Sequence, residues 1–359
     1  MQRRILLLIT DLEIGGTPTV VRELATRLHD PGKGVHVEVA CLSKWGPVAD
    51  QIRMAGVTVT ALDARSSFDM LQMARRLRFL VRERQIDTVL SFLVHANVVA
   101  AFVAPHLAEI RFIQSIQTVQ PRPLWHWLAQ GWAHRRAERL VVPSSAIVAV
   151  ARRRSGVPRA KLVVIPNALD PAEFPRVSVF TGPKARAGYL GRLDPAKAPG
   201  NLLRAIEFAR QPEAELHYFG DGPARAYLER RVDEMGLRRQ VFFHGSAARP
   251  QEALRQMDVL WLPSSVEGFG LVVIEAMASG VPVVACAAGG VRDILQDGHN
   301  GLAADERIGY RRFAHSLTLL RDDVALRNRL IEGGLRTVRE RFNWDVVLPQ
   351  YRALLQLPG

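Results

Sequence analysis

Short runs of Val, Ile and Leu alternate with longer helical patterns along this chain, and that alternation restricts the fold more than any other feature. In the first half the runs are Ile5–Thr10, Val35–Leu42, Val57–Leu62, Thr88–Phe92, Arg111–Ile116, Leu140–Pro143 and Leu162–Ile165. They show little polar–apolar alternation, which is the pattern of strands buried on both faces. Helical patterns lie between them at Pro18–His29, Phe68–Glu83, Asn97–His106, Leu124–Ala137 and Ser145–Arg154. Strand and helix in strict turn predict a doubly wound parallel sheet.

The second half repeats the theme. Strands are predicted at Ala187–Leu190, Glu215–Phe219, Val241–Phe243, Val259–Leu262 and Pro282–Ala285, with helices at Asn201–Gln211, Ala224–Met235, Pro250–Gln256, Leu271–Ser279, Gly309–Arg321 and Val324–Glu340. A proline-rich stretch from Pro166 to Pro183 reads as an interdomain linker. The expected organisation is an α/β chain of two Rossmann-like domains facing a central cleft: residues 1–168, a linker at 169–184, and residues 185–341. A last helix, Trp344–Leu355 within residues 342–359, is expected to cross back to the first domain.

A chain of 359 residues fits two domains, and 48% hydrophobic content is ample for two cores. Cys41 and Cys286 are too few and too far apart for a disulfide framework or a metal cluster, so a reducing cytoplasm is expected. The apolar run Ile5–Ile9 is followed at once by Asp11 and Glu13, which reads as a first strand rather than a leader. No run of about 18 apolar residues occurs. The net charge of +13 is uneven: residues 1–175 hold 23 Lys+Arg against 14 Asp+Glu, a net of +9, and the remainder nets +4. A basic half suits anionic lipid, nucleic acid or an anionic acceptor, or is simply a solvated surface.

The chemistry concentrates where strands end. Glu267-Gly268-Phe269-Gly270-Leu271-Val-Val-Ile-Glu275 places a glycine-rich strand-to-helix junction between two carboxylates. Bare amides and a helix N-terminus suit an anion, and a carboxylate on each side suits hydroxyls. Phosphate in the middle and polyol at the edges describes a sugar nucleotide. Gly191-Arg192-Leu-Asp-Pro-Ala-Lys197 sends two cations off another strand end, fit to neutralise a diphosphate. Phe219-Gly-Asp221-Gly222 and His244-Gly245-Ser246 end two more strands; the first also reads as a simple turn, and the second offers backbone to a base edge. In the first half, Gly15-Gly16 follows the first strand without the GxGxxG spacing of a dinucleotide site. His95 and Gln117 are each read as closing a strand. The segment Pro121–Arg136 carries Trp125, Trp127 and Trp132 beside Arg135 and Arg136; it reads as ordinary packing, an acceptor clasp or a membrane-surface helix. His126 and His134, on that helix, read as surface or packing residues.

Taken together, Glu267 to Ala285, Gly15-Gly16, Ile165-Pro-Asn-Ala-Leu-Asp170, Gly191-Arg-Leu193 with Lys197, Phe219-Gly-Asp-Gly222 and Asp297-Gly-His-Asn-Gly301 resemble glycosyltransferase family 4, retaining enzymes of GT-B fold with an E-x7-E motif. The resemblance covers nearly the whole chain. It implies that Glu267 holds donor-sugar hydroxyls, that Glu275 binds the nucleotide ribose, and that Arg192 and Lys197 hold the diphosphate with the amides of Gly270 and Leu271. It implies that the Gly15-Gly16 loop closes on donor phosphate or acceptor. No D-x-D occurs, which suits the metal-independent habit of this fold. One departure stands out: family members often carry a histidine where this chain has Gln117. Glutamine hydrogen-bonds a hydroxyl but takes no proton. A front-face displacement needs no protein base, and His95 is the substitute if one is needed.

The implied function is transfer of a hexose-type sugar from a UDP- or GDP-sugar, with no further cofactor, to a glycan or lipid-linked acceptor of the cell envelope. The implied location is the cytoplasm, with peripheral contact at the inner face of an anionic membrane and no nucleic-acid partner. The alternatives are a catalytically silent nucleotide-sugar-binding protein, and a GT-B epimerase or phosphorylase.

Overall fold

In the computed structural model residues 2–43, 45–64, 69–119, 123–305 and 309–358 are described. Phe68, expected to open a helix, and Pro121 and Arg122 of the tryptophan-rich segment lie outside them. The chain divides into two compact units, Met1–Asn167 with Asp345–Gly359, and Ala168–Trp344.

The first unit is built on seven strands: β1 (Arg3–Ile9), β2 (Val35–Cys41), β3 (Thr58–Ala61), β4 (Thr88–Phe92), β5 (Arg111–Ser115), β6 (Arg139–Val142) and β7 (Leu162–Val164). They pair in parallel in the order β3-β2-β1-β4-β5-β6-β7. Ile5 to Ile9 of β1 are wholly buried, because β1 lies inside the sheet with helices over both faces. The strand order reverses direction between β1 and β4. With right-handed crossovers, helices on the two sides of that point fall on opposite faces, leaving a crevice beyond the strands' carboxyl ends. The loops after β1 and β4, with Gly15-Gly16 and His95, therefore emerge side by side.

The second unit carries β8 (Ala185–Leu190), β9 (Ala214–Phe219), β10 (Val241–Gly245), β11 (Val259–Leu262), β12 (Val283–Cys286) and β13 (Leu302–Ala304). They are again parallel, in the order β10-β9-β8-β11-β12-β13. Its reversal lies between β8 and β11. That topology places the Arg192–Lys197 loop and the Glu267 loop next to one another, although some seventy residues separate them in the chain.

The local structure departs from expectation at β13, at Pro47 and at His95. β13 lies in a stretch without a strand signal, because Leu-Ala-Ala has no β-branched residue. A helix at Pro47–Met54 hides behind the turn-like Gly46-Pro47; proline at its first turn starts it. The helix after β4 runs Val94–Val103, three residues earlier than expected, so His95 sits in its first turn rather than closing the strand. Leu93 makes the sharp turn with φ 71°. Residues 169–184, read from sequence as the linker, pack on the second unit: Leu169 and Phe174 are buried, Val177 N–H donates to Ser279 C=O, and Phe180 N–H donates to the Asp258 carboxylate. The terminal helix Trp344–Leu355 lies, from Asp345 on, with the first unit, where Arg111 donates to the Leu354 carbonyl at 3.2 Å.

Candidate active site

In the second unit the β8 and β9 ends are stitched by backbone. Gly191 N–H donates to Phe219 C=O and Leu193 N–H to Asp221 C=O, extending the ladder beyond the strands. A Cβ on Gly220 would lie 1.9 Å from the Gly191 carbonyl, so only glycine allows that approach. The Asp221 carboxylate is spent locally, accepting from Gly222 N–H at 2.7 Å and pairing with Arg225 at 3.2 Å. That favours the turn reading of this residue. Gly245 ends β10 after a register shift and bridges to Gly220.

Asp194 caps a short 3-10 turn by accepting from Ala196 N–H, and the turn delivers Lys197 inward. Lys197 Nζ lies 2.6 Å from Glu267 Oε2 and donates to Val266 C=O at 3.3 Å. Glu267 is nearly buried at 8% exposure, and among the described residues Lys197 is the cation that holds its charge. Arg192 is the more open case: its side chain is 67% exposed and pairs with Asp194 at 3.8 Å.

Glu267 is also fixed by backbone. Gly290 N–H donates to its carbonyl at 2.9 Å. A Cβ on Gly289 (φ 54°) would lie 2.2 Å from that same carbonyl, and one on Gly290 2.4 Å from the Gly268 carbonyl. The Gly289-Gly290 pair is therefore the floor on which Glu267 stands, and sequence reading missed it. Gly289→Ala is expected to cost about 2–3 kcal/mol by overpacking and strain, and to lower turnover; unchanged melting and unchanged kcat would refute the floor.

The helix Leu271–Ala278 begins at Gly270 (φ 103°) with no side-chain cap and no acidic residue in its first turn, so its amide end is open to an anion. Phe269 is buried against Phe342, ring centroids 5.5 Å apart, and anchors the junction. Glu275 stands one turn along. It keeps part of its surface open, yet burial pushes its carboxyl up to about 7. No hydrogen bond or ion pair engages that carboxylate among the described residues. Glu267 and Glu275 thus differ in kind: one is paired and one is waiting.

In the first unit, Gly15 precedes the helix Gly16–Leu28, which also lacks a side-chain cap; Thr19 donates to the Gly15 carbonyl through both N–H and hydroxyl. His95, His126 and Trp125 form a ring cluster, with centroids 5.2 Å (His95–His126), 5.6 Å (His95–Trp125) and 4.1 Å (Trp125–His126) apart. Burial lowers the pKa of both imidazoles; for His95 nearby Asp11 opposes it, and for His126 the neighbouring His95 adds to it. Gln117 donates to Ser115 Oγ at 2.8 Å and accepts from Asn167 at 3.3 Å, a structural grip on a half-buried side chain. His126, read from sequence as a surface or packing residue, is thus brought beside His95.

A buried amide network sets this cluster. Asn97 accepts from Ser91 Oγ (2.7 Å) and donates to Ser115 C=O (3.1 Å) and Gln130 Oε1 (2.8 Å); Gln130 in turn donates to Gln114 (2.8 Å). It locks the helix bearing His95 to the helix bearing Trp125 across β5. Polar residues at core positions of otherwise apolar elements were the signal that would have revealed it. Among the described residues no group of three or more His, Cys, Asp or Glu side chains is arranged to hold a metal ion.

Two parallel-sheet Rossmann-like units, the second with an uncapped helix N-terminus, a Lys–Glu pair and an exposed arginine at its switch point, have the GT-B class of glycosyltransferase architecture. Residues 14–173 match the family model Glycosyltransferase Family 4 and residues 171–337 match Glycosyl transferases group 1. The chain belongs to the family-4-like glycosyltransferases. It is 35% identical to D-inositol 3-phosphate glycosyltransferase of Thermomonospora curvata over 45% of this chain and 40% of that one. It is 34% identical to the lipopolysaccharide core biosynthesis glycosyltransferase LpsD of Rhizobium meliloti over 45% and 46%. The chain thus spans under half the length of these curated relatives. Among solved structures, Anabaena HepE in complex with UDP and glucose superposes with TM-score 0.85 over 99% of this chain and 100% of that one, at 20% identity, a likeness of fold.

Proposed function

We propose that this chain transfers a hexose-type sugar from a UDP- or GDP-sugar to a glycan or lipid-linked acceptor of the cell envelope, with retention and without a metal ion. The observation that carries the proposal is the Lys197–Glu267 pair set beside exposed Arg192 and the open amide end of Leu271–Ala278. Those groups match, in order, sugar hydroxyls, one diphosphate oxygen and another. Glu275, unpartnered and one helical turn further, matches a ribose. LpsD's lipopolysaccharide role and the HepE complex with UDP and glucose support the envelope and donor classes.

In this reading the bond from the anomeric carbon to the diphosphate breaks while the acceptor oxygen bonds the same face. The acceptor proton passes to the departing diphosphate, so Gln117 need not take it. Arg192 and Lys197 neutralise the charge that develops on the leaving group. The neutral imidazoles of His95 and His126, with Trp125, suit acceptor hydroxyls, and the Gly15-Gly16 loop belongs to the same proposal. The rival reading is a silent nucleotide-sugar binder, motivated by Gln117.

The test is incubation with a panel of UDP- and GDP-sugars and methyl hexosides, following nucleoside diphosphate release and product anomer. Tight donor binding with no release in any mixture would sink the enzyme reading. Arg192→Ala is expected to weaken nucleoside diphosphate binding by at least about 2 kcal/mol; an unaltered dissociation constant by calorimetry removes Arg192 from the site.

A further inference from the structure

At one edge of the second sheet, β9 and β10 carry a line of hydrogen-bonded side chains that the reaction proposed above does not use. Glu215, His217 and Phe219 alternate along β9 and so face one side of the sheet. Phe242 of β10 lies opposite His217. The β10 register then shifts between Phe243 and Gly245, which sets His244 apart from the ladder. Such an irregularity re-aims a side chain. His244 lies over Phe219, ring centroids 4.4 Å apart, and its Nε2 is 3.0 Å from His217 Nδ1. On its other side His217 Nε2 is 3.2 Å from Glu215 Oε2, and Glu215 Oε1 accepts from Lys184 Nζ. The side chains of Glu215 and His217 are only 9% and 12% exposed, whereas His244 is exposed.

This line has a direction. Burial alone would raise the Glu215 pKa, but Lys184 and His217 hold it below the ordinary value. An ionised carboxylate only accepts, so His217 Nε2 carries the proton. The neutral imidazole then has a bare Nδ1, which accepts from His244 Nε2–H. His244 is left with a bare Nδ1, and no hydrogen bond engages that nitrogen among the described residues. Burial favours the neutral rings: it lowers the pKa of His217 against the pull of Glu215, with His244 and Arg186 adding to it, and it lowers that of His244.

His244 stands at the carboxyl end of β10, where Gly245 bridges to Gly220 and, with Ser246, offers backbone to a base. On the pairing edge of a base, uracil N3 and guanine N1 carry a proton, whereas cytosine N3 and adenine N1 are bare. A bare imidazole nitrogen accepts from the first two and meets a lone pair on the others. We propose that the Glu215–His217–His244 line makes His244 Nδ1 a fixed acceptor that selects nucleotides whose base presents a ring N–H, uracil or guanine, over cytosine and adenine. This selection rests on the donor site proposed above and adds to it the side chain that reads the base. His217 is a positioning residue and touches no base. A line that only tied the sheet edge together would serve equally in either direction.

Glu215→Gln is the variant that reverses it. Lys184 needs an acceptor, so the glutamine oxygen stays with Lys184 and the amide NH2 faces His217 Nε2. His217 then carries its proton on Nδ1 and donates to His244 Nε2, and His244 Nδ1 becomes a donor. The experiment combines NMR of the imidazole ring nitrogens with calorimetry for UDP, CDP, GDP and ADP. In the wild-type chain both rings are expected as Nε2–H tautomers, and UDP and GDP are expected to bind at least about tenfold tighter than CDP and ADP. In Glu215→Gln both rings should switch to Nδ1–H, and the preference for UDP over CDP should fall at least about tenfold. His244→Ala should lose the same preference while still binding UDP. Nδ1–H tautomers in the wild-type chain overturn the line's direction and with it the proposal. Equal binding of all four nucleotides overturns the selection alone, whereas binding of none overturns the donor site as well. A preference that survives both substitutions assigns the selection to backbone and removes His244 from it. The wild-type spectra and the wild-type nucleotide panel decide the outcome even where a variant fails to fold.

Discussion

Glu267→Ala is expected to lower kcat by at least about a thousandfold while the dissociation constant for UDP or GDP stays within about threefold of wild type. The carboxylate is nearly buried and pairs with Lys197, 2.6 Å away, as its only ionic partner among the described residues. Removing it takes away the group proposed to hold the sugar, yet frees a cation for the diphosphate, so nucleotide affinity has a reason to persist. Lys197→Ala is the informative counterpart. It strands a carboxylate at 8% exposure and is expected to cost about 3 kcal/mol or more of stability, in addition to weakening nucleotide binding. Calorimetry for the nucleotide, thermal melting and steady-state turnover separate these effects. Unchanged turnover in Glu267→Ala would remove this residue from the reaction.

Glu275→Gln is expected to act through pH. Burial raises the Glu275 pKa from an ordinary 4.5 to about 7. Between those values the folded chain binds more protons than the unfolded chain, so folding stability falls as pH rises through that window and levels off above about 7. Glutamine removes the ionisation. The variant should therefore match wild type near pH 4.5 and exceed its stability by about 1–3 kcal/mol at pH 8. Nucleotide affinity moves the other way. A ribose donates to the ionised carboxylate, so wild-type affinity should tighten as pH rises through about 7, and the glutamine variant should be weaker and flat. A site that loses stability to keep a carboxylate ready is the usual trade at a functional position. Equal pH slopes for the two proteins, in melting and in nucleotide titration, would show that Glu275 neither titrates nor binds.

These two glutamates look alike in the chain. Both flank the same glycine-rich turn, and nothing in the eight-residue spacing distinguishes their states. Their difference comes from the tertiary structure: Lys197 reaches one from the loop after β8, and the other is desolvated by burial. The same holds for His126, which sequence assigns to an ordinary helix face. It acquires a chemical neighbourhood only because Asn97, Gln114 and Gln130 lock two helices and a strand together beneath it.

Much was readable in the amino-acid order. Strand-helix alternation is local, with period and composition set by hydrophobic burial on both faces, so both parallel sheets and the positions of the loops at their ends followed from it. The family motifs are local too, because a glycine-rich turn and the charges beside it lie within a dozen residues. Errors fell where a local signal was weak: the three-residue β13, the proline-started helix at Pro47, and His95, whose helix begins early after the strained turn at Leu93.

What the sequence alone determined is therefore the class of fold and the catalogue of candidate groups. The tertiary structure alone decided which of them are paired and which stand open. Pairing of Lys197 with Glu267 and the Gly289-Gly290 floor under Glu267 both depend on residues far apart in the chain meeting at one place. Parallel pairing across a switch point creates those meetings, and the order of strands in a sheet is written nowhere in the local pattern of any one of them.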